Sequence, residues 1–199
     1  MSDYPWYDKV TADATLLQGD LVEGCPVIVF RETDFSAIGD PAQFLTALGE
    51  AVAIQTVRSI VMTQACDLEQ GHVQNVILCP VYHLNEYKSD VWEPFMQTHG
   101  QGTTAKAWSN HLRELKGGKL WNLTMLDKRE PDDESDTGTP HQIVDFHEVF
   151  SLPVGFLGSW LRASRAPRLR LLPPYREHLS QSFARFFMRV GLPVDIADP

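Results

Sequence analysis

The chain has 199 residues, of which 43% are hydrophobic and 22% are charged, and its formal net charge is -9. This length and composition suit one globular domain with its own core and exclude a disordered chain. No apolar run reaches the roughly 20 residues that cross a bilayer, and the N-terminus has neither the basic nor the apolar region of a secretory signal. The acidic balance argues against broad, non-specific binding to nucleic acid.

The three cysteines, Cys25, Cys66 and Cys79, form an odd and sparse set without a CxxC pair. Free thiols in this pattern are typical of a reducing compartment and not of a disulfide framework. The sequence therefore predicts a cytoplasmic protein without a membrane anchor, and it suggests no cofactor.

The first predicted strand covers residues 20–31, where the GCP segment at residues 24–26 indicates a bend or an edge position. Asp40 followed by Pro41 is typical of an N-cap and a first helical turn. We expect this helix to end at Gly49.

Two β-rich runs, residues 51–64 and 73–84, flank a short polar connection at about residues 67–72 and predict an antiparallel hairpin. Both runs are too apolar for a sheet with one wet face, so we expect both in the core. In this hairpin Cys79 lies opposite about Ile60.

Residues 85–140 are interpreted as an insertion. It contains a helix over residues 104–116, which Thr104 can cap and the following glycines can end. A strand over residues 120–126 follows, and the acidic, proline-containing segment 127–140 predicts a mobile loop.

The last third predicts a strand over residues 142–150, a short helix over 152–161 and a short strand over 168–171 with one arginine face. A closing amphipathic helix over residues 174–191 has an apolar stripe at spacings of three and four. Its other face carries His178, Gln181, Ser182, Arg185 and Arg189. The elements together predict a single α+β domain over residues 1–199. Its centre is a bent antiparallel sheet or an SH3-like barrel.

Charge is distributed unevenly along the chain. From Arg162 to the end there are seven arginines and three acidic residues, so the C-terminal part is basic and the rest strongly acidic. Arginine suits bidentate recognition of phosphate or carboxylate. These arginines can pair with the acidic body of the same chain or contact an external acidic partner. The candidate partner-binding residues are Arg168, Arg170, Arg185 and Arg189.

Cys66 stands after the first of the two β-rich runs, where the chain turns, and Asp67 follows it. A thiol at this place could act as a nucleophile if a base or a cation lowered its pKa. The alternative is a small buried hydrophobic residue followed by an aspartate that caps the turn.

A metal site built from Cys66, Cys79 and His83 conflicts with the predicted hairpin. Cys66 and His83 would lie on the order of 25–30 Å apart on an ideal ribbon, too far to share one ion. The sequence therefore predicts no metal site.

The same register brings Arg58 close to Tyr82 and His83. An arginine beside a histidine could bind a phosphate and exchange a proton with it. The alternative is that Arg58 forms a local salt bridge and His83 caps the following helix.

Four segments, GDLV at residues 19–22, RSIVMT at 58–63, VILCP at 76–80 and a closing helix that ends in VGLP, resemble the PemK/MazF-like toxins. Members of that family are small SH3-like barrels, many of which cut RNA. Arg58 matches the functional arginine of the family, and the family's Thr or Ser falls at Tyr82 or His83. TQACDL at residues 63–68 is also similar to a segment of uncharacterised bacterial and phage proteins.

The resemblance implies an endoribonuclease toxin, or a relative that binds RNA without cutting it. Cleavage would be metal-independent, with Arg58 stabilising the phosphorane charge and His83 moving the proton. Two alternatives stay open: a non-enzymatic protein-interaction module of a toxin–antitoxin or phage defence system, and a cysteine-dependent enzyme that uses Cys66. The expected partners are RNA or an acidic protein, without a membrane, and a homodimer is compatible with the sequence.

Overall fold

The computed structural model describes residues 5–31, 34–36 and 38–188, and it confirms the α+β class with antiparallel strands and a C-terminal helix. The strands are β1 (Tyr7–Val10), β2 (Leu21–Phe30), β3 (Val52–Val61), β4 (Asn75–His83), β5 (Leu123–Leu126), β6 (Gln142–Asp145), β7 (Phe150–Pro153) and β8 (Arg168–Leu171). The α-helices are α1 (Pro41–Ala51), α2 (Ala65–Glu69), α3 (Leu84–Glu86), α4 (Glu93–Thr98), α5 (Ala105–Lys116), α6 (Val154–Ser164) and α7 (Tyr175–Phe187), and a π-helix (Tyr87–Trp92) lies between α3 and α4.

The main sheet has the strand order β2-β3-β4-β6-β5, with β7 also paired to β4, and every pairing is antiparallel. The order runs from β2 at one end to β5 at the other, as in an open sheet. β1 and β8 form a separate two-stranded sheet, and an isolated bridge from Asp20 to Arg170 joins it to the start of β2. The predicted pairing of Ile60 with Cys79 is confirmed.

Two apolar clusters lie on alternate side-chain rows of the central strands. Ile60 belongs to the first cluster and its neighbour Val61 to the second, because successive side chains of a strand point to opposite faces. Helix α7 covers the first cluster, where Leu179 is buried with Phe146. Helix α6 covers the second through Leu157. The two helices therefore pack on opposite faces of the sheet.

The insertion has an apolar cluster of its own, which contains Tyr87, Trp92, Leu115 and Ile143. The predicted helix at residues 104–116 is confirmed as α5, and the Thr104 side chain accepts a hydrogen bond from the N–H of Ala107. The aromatic rings of Tyr87, Trp92 and Trp108 in this region all contact the imidazole ring of His111. The insertion is thus attached to the sheet by packing against β6.

Several predicted boundaries were wrong. Helix α1 continues past Gly49 to Ala51, because Gly49 does not adopt the positive φ of a glycine cap. The predicted strand at 142–150 is divided after Asp145, whose side chain accepts the N–H of His147 at 2.8 Å and turns the chain. Strand β5 begins at Leu123 and not at residue 120.

The expectation that both runs of the predicted hairpin lie in the core is confirmed for β4, where Val76, Leu78, Cys79 and Val81 are buried. It was wrong for the first half of β3, where Ile54 is 75% accessible to solvent. The polar connection between β3 and β4 contains α2, where a plain turn was expected.

Helix α7 begins at Tyr175, and the expected end at residue 191 lies outside the described residues. The acidic segment 127–140 contains a bridge between Arg129 and Thr139, and its mobility stays a prediction. No helix among residues 5–31, 34–36 and 38–188 is long and apolar enough to cross a membrane.

Candidate functional site

Arg58 lies on β3 beside an irregularity of β2. The register of β2 on β3 shifts between Val22 and Cys25, and Gly24 has the left-handed φ of 59° that such a bulge requires. The bulge places Glu23 next to Arg58, whose Nε donates to both carboxylate oxygens at 2.9 and 3.0 Å. The ion pair between Glu23 and Arg58 therefore depends on the bulge in β2.

Glu86 connects Arg58 with His83. Arg58 Nη1 donates to Glu86 Oε2 at 2.9 Å, and the same oxygen accepts the backbone N–H of His83 at 2.9 Å. The His83 Nδ1 atom lies 3.5 Å from Glu86 Oε1, and the His83 ring accepts the N–H of Glu86 in a capping box at the start of α3. The structure thus brings Arg58 and His83 together, through a carboxylate that sequence analysis missed.

The charges of this cluster have defined consequences. Burial, and then the Arg58 guanidinium, hold the pKa of His83 below its usual value against the opposing effect of Glu86 and Glu23. The lowered pKa favours the neutral form of the His83 ring, which is the form that accepts the N–H of Glu86. The Arg58 guanidinium already binds two carboxylates, so a phosphate would have to displace one of them. This is the local salt bridge and helix cap that the sequence left open as the alternative.

A groove of about 500 Å³ lies beside the C-terminal helix. It is bounded by α7, the end of α5, the start of β5 and the N-terminal segment. Its lining includes Trp6, Lys116, Trp121, His178, Ser182 and Arg185.

The cations of the groove are without a partner among the described residues. Arg185 and Lys116 are exposed and form no ion pair or hydrogen bond through their side chains with any described residue. Trp121 is 51% exposed, and Trp6 stacks on Tyr175 with ring centroids 3.8 Å apart. The groove therefore combines two cations without a described partner, flat aromatic surface and one carboxylate, that of Asp127, which lies 3.2 Å from His141 Nδ1. Lys116 and Trp121 belong to no recognisable sequence motif, and the sequence did not predict them as site residues.

The other candidate arginines have different surroundings. Arg168 is buried, and its Nε donates to Asp20 Oδ2 at 2.8 Å, while Arg170 Nε donates to Asp20 Oδ1 at 2.5 Å. Both side chains also donate to backbone carbonyls within residues 11–15. These two arginines follow the intramolecular alternative. Arg189 lies outside the described residues.

Cys66 is exposed at the beginning of α2, so the alternative of a buried hydrophobic residue was wrong for it. Its Sγ lies 3.7 Å from the amide oxygen Gln64 Oε1 and 3.9 Å from the carboxylate oxygen Asp67 Oδ1. Its role as a nucleophile stays a prediction. Within the described part of the chain, no three His, Cys, Asp or Glu side chains form a group that could hold a metal ion.

Comparison of the chain with protein-family models, with curated proteins and with solved structures finds no match.

Proposed function

We propose that this protein binds a short segment of single-stranded RNA in the groove beside α7 and does not cleave it. The observation that carries the proposal is the groove itself, in which unpaired Lys116 and Arg185 occur with exposed Trp121. Proteins that bind single strands combine positive charge for the phosphates with aromatic rings on which bases stack.

The net negative charge of the protein supports an RNA-binding site that is limited to the groove. A net charge of -9 repels a polyanion from most of the surface, whereas in the groove two exposed cations without a described partner lie beside aromatic rings. Binding at this site would therefore involve few phosphates and a short length of strand.

The surroundings of Arg58 favour binding over cleavage. Stabilisation of a phosphorane needs guanidinium donors that are directed at the reacting group and not already engaged. Glu23 and Glu86 already accept hydrogen bonds from Arg58. A catalytic role for Arg58 and His83 would require that this cluster open first.

Fluorescence anisotropy with a labelled single-stranded RNA decamer, in EDTA, tests the proposal. Arg185→Ala and Lys116→Ala should each weaken binding about 5- to 50-fold, as expected for the loss of a charge-assisted phosphate contact of roughly 1–2.5 kcal/mol. The matched controls are Lys106→Ala, at the other end of α5, and Arg31→Ala at the end of β2, both of which remove exposed cations outside the groove.

The salt dependence gives a second readout. For a single strand the slope of log K against log salt is about -0.7 per neutralised phosphate, so two contacts predict about -1.4 and each variant about -0.7. Equal affinities of the groove variants and the controls would contradict the proposal. So would competition by an acidic peptide as strong as competition by RNA of equal charge, which would identify a protein partner.

The absence of cleavage is tested on the same RNA by gel electrophoresis. We expect intact RNA after incubation with the wild type and with Arg58→Ala. Cleavage by the wild type that Arg58→Ala abolishes would overturn the non-catalytic part of the proposal and restore the endoribonuclease reading.

A further inference from the structure

One face of the antiparallel pair of β2 and β3, which are joined by a connection that contains α1, is apolar and exposed. The register pairs Pro26 with Thr56, Ile28 with Ile54, and Phe30 with Val52. Side chains of directly opposed residues lie on the same face of an antiparallel pair, so the six share one face. We call these six residues the hairpin face.

The exposure of this face is large for residues of this kind. Ile28, Phe30, Val52 and Ile54 are 66%, 61%, 37% and 75% exposed, while Val27 on the opposite face of β2 is buried at 8%. These values correspond to roughly 450 Å² of apolar surface, the size of the largest apolar patch on a typical monomer, which is about 300–600 Å² and often functional. The hairpin face has no charged member.

We propose that the hairpin face is the interface of a homodimer, in which two copies pack these faces against each other about a two-fold axis. The face is self-complementary because it consists of aliphatic and aromatic side chains without a charge to be buried unpaired. A second copy would cover roughly 900 Å² of apolar surface in total. That area is below the about 1,200 Å² of stable specific interfaces and falls in the range of weak, transient ones.

The border of the face is polar. Arg58 follows Thr56 on the same row of β3 side chains, and it is held there by Glu23 and Glu86. A salt-bridged cluster beside an apolar centre has the organisation of a protein interface, with a polar rim around a desolvated core. This gives the Arg58 cluster a structural position at the edge of the contact.

The size of the face sets the expected affinity. An interface of this small area, formed between two chains of net charge -9, predicts a reversible dimer with a Kd on the order of micromolar. Because like charges oppose association while burial of apolar area drives it, higher salt should strengthen the dimer.

Sedimentation equilibrium over about 1 to 500 µM protein, a range that brackets a micromolar Kd, measures the association. Ile54→Lys should weaken it at least 10-fold, because a lysine at the centre of the face would be buried without a partner. The matched control is Gln55→Lys, which adds the same charge to the next residue of β3, on the opposite face. The control should dimerise like the wild type.

Ile28→Lys is the second variant, and thermal melting shows that each variant is folded. Three results would overturn the proposal: a wild type that stays monomeric over the whole range, a dimer that survives both lysines on the face, and equal weakening by Gln55→Lys. The RNA-binding assay does not enter this test, so the dimer and the proposed function can fail independently.

Discussion

Replacement of Asp20 by asparagine tests whether the buried ion network holds the N-terminal segment in place. Asp20 is completely buried, and its carboxylate accepts hydrogen bonds from Arg168, Arg170 and the N–H of Leu17. Asp20→Asn keeps the shape and one acceptor oxygen but leaves the buried Arg168 without a counter-charge. Removal of one partner of a buried ion pair costs about 3–5 kcal/mol.

The structure suggests how large the effect is within that range. Arg168 retains the carbonyls of residues 11–15 as acceptors, so part of its solvation survives and the lower half of the range applies. For a protein of this length a loss of about 3 kcal/mol lowers the melting temperature by roughly 6–12 °C. Urea denaturation followed by circular dichroism measures the same loss as a lower midpoint at unchanged slope.

A double-mutant cycle separates the charge effect from simple loss of packing. Arg168→Met in the Asp20→Asn background removes the uncompensated charge, so the double variant should be less destabilised than the sum of the single variants. Asp13→Asn, an exposed aspartate nearby in sequence, should change stability by less than about 0.5 kcal/mol. A loss below about 1 kcal/mol for Asp20→Asn, or additive effects, would refute the reasoning.

Three further predictions concern titration and packing. Burial lowers the pKa of His83 and of His111, so these two imidazoles bind fewer protons in the folded state than in the unfolded state below about pH 6.5. Their contribution to the free energy of unfolding should be fully present above that pH and be lost as the pH drops through the folded pKa values. His111→Phe should therefore reduce the loss of stability seen in urea titrations from pH 7.5 to 5. An unchanged pH slope in that variant would contradict the assignment. Burial raises the pKa of Asp145, which disfavours its ionised form in the folded state at pH 7; Asp145→Asn, which can still accept the N–H of His147, should raise the melting temperature at pH 7, with a gain that shrinks towards pH 4, and a loss at pH 7 would contradict it. Phe146→Ala should cost about 3–5 kcal/mol in denaturant melts, because this fully buried ring supports α7, and a loss below about 1.5 kcal/mol would show that α7 does not depend on it.

The elements that the sequence predicts well are those with strong local signals. Thr104 and Asp40 both cap helices as expected, since N-caps depend on side chains within three residues of the helix start. The hairpin register that sets Ile60 against Cys79 also follows from local pattern. The exposure of Ile54 does not, because an apolar run is the same in sequence whether another layer covers it or not.

The candidate sites depend on contacts across long stretches of chain. Asp20 and Arg168 are 148 positions apart. No local sequence pattern indicates that the Asp20 carboxylate accepts hydrogen bonds from both Arg168 and Arg170 of β8. Glu86 is closer to a readable signal, because it stands three residues after His83 at the spacing of a capping box. The groove joins α5 to α7, so Lys116 and Arg185 could be brought together only by the tertiary fold.

The two proposed surfaces should respond to salt in opposite directions. The reason is that the arginine beside the hairpin face is ion-paired, whereas the two cations of the groove are not. Glu23 and Glu86 neutralise Arg58 beside the hairpin face, so association there depends on apolar area and must work against the repulsion of two acidic chains. Lys116 and Arg185 have no such partners among the described residues, so these two cations attract an anion to the groove although the net charge of the protein repels it. Higher salt therefore weakens RNA binding and strengthens the dimer. A single change of ionic strength thus distinguishes the two surfaces without any substitution, and a change of the same sign in both would mean that one of them has been assigned the wrong driving force.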